Sequence, residues 1–72
     1  MTLLKLLKRI TPEQKIDLFD YDCAVLATDC TRTEIIDILL LKHEKNYRRI
    51  INSDIQFICV DKNLHISLRH PQ

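Results

Sequence analysis

The sequence predicts an α+β domain in which a short helix, a β-hairpin, a long helix and a second hairpin follow one another, with a small antiparallel sheet packed against the helices. Three observations carry that expectation. Apolar residues recur at helical spacing over residues 34–51, residues 55–69 alternate as paired strands do, and 72 residues are too few for more than one hydrophobic core. Residues 1–72 are therefore read as a single domain.

At the start, Leu3, Leu4, Leu6, Leu7 and Ile10 are interleaved with Lys5, Lys8 and Arg9, a helical period that Thr2 can cap. Thr11-Pro12-Glu13-Gln14 matches a capping box with proline at the first helical position. It leaves two readings of residues 12–28. One is a helix with Ile16, Phe19, Cys23 and Leu26 on one face. The other, favoured because Asp20-Tyr21-Asp22 suits a turn better than a helix interior, is a hairpin of Lys15–Phe19 with Ala24–Thr28. Thr31 or Thr33 then caps a helix running from Glu34 to about Asn52. Its stripe is Ile36, Leu40, His43, Tyr47 and Ile51, with acids early and Lys45, Arg48 and Arg49 late, as the helix dipole favours. In the last hairpin a tight turn at Asp61-Lys62-Asn63-Leu64 would pair Cys59 with Ile66 and Phe57 with Leu68.

Composition narrows the function classes. The chain is 46% hydrophobic and 29% charged, which excludes intrinsic disorder. It has no glycine, so the glycine-cradled phosphate loops are excluded. Cys23, Cys30 and Cys59 are odd in number and lack paired spacing. No apolar run approaches the roughly 20 residues that span a bilayer, and no export signal is visible. The expectation is a reduced, cytoplasmic protein that uses its thiols as small core hydrophobes and has no membrane partner. The net charge of +1 is distributed as +3 over residues 1–12, −5 over 13–37 and +3 over 38–72. That alternation suits charge-steered protein association better than a uniform nucleic-acid footprint.

Three stretches carry a family resemblance. They are Leu3-Leu4-Lys5-Leu6-Leu7-Lys8-Arg9-Ile10, Gln14-Lys15-Ile16-Asp17-Leu18-Phe19-Asp20-Tyr21-Asp22, and Asp61-Lys62-Asn63-Leu64-His65-Ile66-Ser67-Leu68. In that order they resemble short uncharacterised proteins of phages, plasmids and other mobile elements of Gram-positive bacteria. Those proteins often carry glycine near the first turn and after the second strand, where this chain has Cys23 and Thr28-Asp29. The resemblance implies the same order of elements and a mobile-element origin; it implies no activity.

Candidate chemistry is sparse. Cys23, Cys30, Cys59, His43, His65 and His70 are the metal-ligand types, but none form the closely spaced pairs of a structural zinc site, so no metal or other cofactor is expected. A nucleophile could be drawn from Cys30 and any histidine, yet nothing in their spacing supports it, and a domain this small leaves little room for a substrate cleft. No catalytic residue, enzyme activity or small-molecule substrate is expected. Lys42, Lys45 and Arg49 fall on one helical stripe with Arg48 beside it, a candidate surface for nucleic acid or another partner. Phe19, Leu26, Ile38, Leu41, Ile58 and Val60 are surplus apolar residues. Either two helices sandwich the sheet, or these side chains meet a partner. The expectation is a non-catalytic domain that binds another protein, as an accessory that blocks or redirects a host or defence factor. The alternatives are a nucleic-acid-binding accessory protein and a structural homo-oligomer.

Overall fold

In the computed structural model, which describes residues 1–71, three α-helices pack on one four-stranded mixed sheet. Helix α1 spans Leu3–Arg9, and the Thr2 hydroxyl accepts from the Lys5 amide at 3.3 Å as its N-cap. The capping box at Thr11 starts no helix. The Gln14 amide donates to the Thr11 carbonyl in a turn, and strand β1 (Ile16–Phe19) follows. Ile16 and Leu18 alternate into the core with no exposed surface, whereas the aspartates beyond them serve the turn. Asp20 Oδ1 accepts from the Tyr21 amide at 2.9 Å and Asp22 Oδ1 from the Ala24 amide at 3.1 Å. Strand β2 (Val25–Cys30) returns antiparallel to β1, so residues 12–28 contain the hairpin and not the helix.

Helix α2 spans Arg32–Lys42 and begins with a complete capping box between Thr31 and Glu34. The single long helix expected to run to about Asn52 is not formed. A 3-10 turn at Glu44–Asn46 separates α2 from helix α3 (Tyr47–Ile51). A continuous helix over 34–51 would be about 27 Å long, whereas strands of four to six residues span roughly 13–20 Å. The break after His43 lets α2 bury Ile35 and Leu39 while α3 buries Ile50 and Ile51 against the same small sheet. His43, Asn46 and Tyr47, all weak helix formers, supply a low-cost place for it.

Strands β3 (Ile55–Val60) and β4 (Leu64–Leu68) form the second hairpin. The sheet order is β2-β1-β4-β3, and β1 and β4 run parallel at its centre. The expected register of the second hairpin is wrong by one residue. The loop has three residues, Ile58 faces Ile66 and Cys59 faces His65, and an irregularity between Ile55 and Phe57 sets Ile55 opposite Leu68. A one-residue slip exchanges the faces of a strand. Ile58 and Val60 therefore lie on the helix side, while Phe57 and Cys59 lie on the other.

All three helices contribute to one core with Ile16, Leu18, Ile66 and Leu68, so they cover a single face of the sheet. The sandwich alternative is not what forms. Arg32 fastens the helical layer, donating from Nη1 to the Ile10 carbonyl at 2.8 Å at the end of α1.

Candidate functional site

Among the described residues no helix lies on the second face of the sheet. Cross-strand pairing places Asp17 and Phe19 of β1, Val25 of β2, Phe57 and Cys59 of β3, and His65 and Ser67 of β4 on it. Val25 is 59% exposed and Phe57 51% exposed, one on each edge strand of the sheet. Between them the rings of Phe19 and His65 stack at 4.4 Å with an interplanar angle of 18°, and Phe57 meets His65 edge-on at 5.9 Å. These three rings form a line across β1, β4 and β3. His65 Nε2 also lies 3.2 Å from Ser67 Oγ, which holds the imidazole in place on the same strand.

One corner of this face is acidic. Asp17 Oδ1 accepts from the Asp29 amide at 2.8 Å and from Asn63 Nδ2 at 3.1 Å, and Asn63 Nδ2 also reaches Asp29 Oδ1 at 3.3 Å. Asp29 sits at φ 53° in this arrangement. A residue with a short polar side chain tolerates that backbone better than most. The amide of Asn63, in the loop of the second hairpin, thus bridges two carboxylates of the first.

The opposite end is built around Asp20. Arg49 of α3 makes a bidentate pair with it, at 3.1 Å to Oδ1 and 2.7 Å to Oδ2. The Arg49 guanidinium also lies 5.3 Å from the centre of the Tyr21 ring, which in turn meets His70 edge-on at 4.6 Å. Burial pushes the Asp20 carboxyl up, but the Arg49 hydrogen bonds and charge and the Tyr21 amide outweigh it, leaving the group below its ordinary range. Hydrogen bonding and charge from Asp20 raise Arg49 in return, against the opposing effect of burial.

The basic stripe does not survive the break in the helix. Lys42 closes α2, Lys45 lies in the 3-10 turn, and Arg48 and Arg49 belong to α3. Lys42, Lys45 and Arg48 are exposed, but Arg49 is committed to Asp20 and is not free to meet a phosphate. Among the surplus apolar residues, Leu41 is 82% exposed at the end of α2, and Ile38 is half-buried against the core. Phe19 faces outward as expected. Leu26 is instead buried at 7%, because an irregularity in the β1–β2 pairing turns both Leu26 and Ala27 toward the helices and leaves Val25 outside. Phe57, expected on the core face opposite Leu68, lies instead on the open face. The one-residue register error hid Phe57, whereas His65 keeps the side opposite Ile66 that the alternation of its strand gives it.

One concave surface among the helices offers little chemistry. An open groove of about 440 Å3 between α1 and α2 has an apolar floor of Leu4, Leu7 and Ile36, with Lys8, Arg32 and Asp37 around it. Asp37 is its one carboxylate, and no thiol or imidazole lines it. The Cys30 thiol is buried, donates to the Thr28 carbonyl at 3.0 Å, and is pushed up first by burial and then by the Glu34 carboxylate, the opposite of an activated nucleophile. Among the described residues no three Cys, His, Asp or Glu side chains gather closely enough to hold a metal ion. No helix among them is long and apolar enough to cross a membrane. In comparison with known proteins, no family model, no curated protein and no solved structure matches this chain.

Proposed function

We propose that this chain is a non-catalytic, cytoplasmic protein-binding domain whose partner docks on the open face of the sheet. The observation that supports it is the exposure of Val25 and Phe57 at either side of the Phe19–His65–Phe57 ring line, on a face that no helix covers. Apolar area of this kind on a small domain is the usual mark of a protein interface. Phe19 and Phe57 are the aromatic anchors such interfaces rely on, and the Asp17–Asp29 corner adds a charge that would select a partner with a basic rim. The sequence resemblance to mobile-element proteins directs the choice of partner toward a host or defence protein.

Nucleic acid is the weaker occupant of the same face. A base-stacking platform needs free ring faces and nearby cations. Here Phe19 and His65 stack on each other, and two aspartates border them. The test is affinity capture with the wild-type chain and with Val25→Arg/Phe57→Arg, two exposed positions whose substitution spares the core. The expected result is one protein retained by the wild type and lost by the folded variant. Equal capture by both, or binding of single-stranded DNA or RNA that falls steeply with salt, would overturn the reading.

A further inference from the structure

The sheet has two edges, and they are built differently. The edge at β2 is broken by two pairing irregularities, holds Asp29 at positive φ, and runs directly into α2. Bulges and charges of this sort keep an edge from pairing with another chain. Among the described residues the edge at β3 is covered only at its beginning, where Ile55 donates to the Met1 carbonyl at 3.1 Å and Leu3 to the Ser53 carbonyl at 2.9 Å. Beyond that point Phe57-Ile58-Cys59-Val60 has no charge and no proline.

Its free backbone groups can be assigned. The Leu64 amide donates to the Lys15 carbonyl on the β1 side, so Leu64 and its partner Val60 do not exchange hydrogen bonds. By the alternation of an antiparallel ladder, Val60 and Ile58 aim their N–H and C=O groups out of the sheet. The side chains of the same two residues lie on the helix side, yet Ile58 is 43% and Val60 79% exposed because no helix reaches this edge.

We propose that residues 57–61 pair antiparallel with the same segment of a second copy of this chain, about a two-fold axis at Cys59, making a continuous eight-stranded sheet. Only registers that set outward-pointing residues opposite one another are allowed, which restricts the axis to a residue. An axis at Ile58 would bring Asp61 of the second copy opposite Ile55, whose outward amide is already bonded to Met1. The axis at Cys59 leaves residues 1–3 untouched and sets Ile58 opposite Val60 of the second copy. Two Ile–Val pairs then cover one another on the helix side and extend the core across the junction. The two Cys59 residues face each other in a non-hydrogen-bonded pair, with Cα atoms about 4.5 Å apart, within the reach of a disulfide. The pairing is argued from the backbone groups of the β3 edge and does not rest on the open-face reading, although Cys59 lies on that face.

Two measurements test it. Light scattering of the reduced chain at high micromolar concentration is expected to give twice the 8.6 kDa chain mass, and Val60→Lys to weaken dimerisation at least about tenfold with an unchanged circular dichroism spectrum. In a Cys23→Ser background, diamide, which takes up the two thiol hydrogens, is expected to crosslink the dimer through Cys59, and Cys59→Ser to abolish that product. A monomeric mass, a dimer indifferent to Val60→Lys, or a folded dimer that diamide leaves uncrosslinked would each overturn the proposal; the first would leave the partner face unaffected.

Discussion

Asp20 and Arg49 are 29 residues apart and hold the first turn against α3 through two charge-assisted hydrogen bonds. Because the Asp20 carboxyl titrates below its ordinary 3.8 when folded, the unfolded chain takes up its proton first as pH falls. The pair's contribution is therefore complete above that value and is lost as pH drops through the lower, folded one. Asp20→Asn should cost roughly 2–3 kcal/mol at neutral pH, since it leaves Arg49 partly buried without its counter-charge. Urea titrations of both proteins between pH 2 and pH 7 should show that difference shrinking below about pH 4. Nothing in the sequence pairs these two residues; Arg49 read as one more cation of a basic run, because a helix face gives no sign of a partner so far away in the chain. Cys23 is a different case. It sits at φ 68° in the turn, where a side chain costs energy that glycine avoids. Cys23→Gly is expected to raise the stability by about 0.5–1 kcal/mol in the same titration.

The elements themselves were mostly legible because local rules determine them. Thr2 and Thr31 cap their helices as their positions suggest, and the aspartates of the first turn bond to its amides. Thr31→Ala should cost about 1 kcal/mol, read as a thermal shift of roughly 4–8 °C for a chain of this size. Two elements differ from that reading, one for a tertiary reason and one for a local one. Residues 34–52 carry a helical period throughout, but a straight helix would overrun strands this short, and periodicity says nothing about sheet length. The second hairpin has a three-residue loop where two were expected, and that one residue moved Phe57 and Cys59 to the open face.

For the whole molecule, the decisive fact is that every helix lies on one side of the sheet. The sequence showed more apolar residues than one face can bury, and it left open whether a helical sandwich or a partner would absorb them. The parallel pairing of β1 with β4 brings the two hairpins together with their core faces on the same side. It thereby leaves Val25, Phe19, His65 and Phe57 in one uncovered strip. That pairing joins residues almost fifty positions apart and has no local signature, so the candidate surface could be suspected from composition but not drawn. The measurement that tests it most directly places a photo-crosslinking amino acid at Val25, on the open face and away from the β3 edge, and at Glu44 as a control in the exposed 3-10 turn. Position 25 is expected to capture a protein other than a second copy of this chain, and position 44 is expected not to. Equal labelling from both positions, or capture from 44 alone, would contradict it.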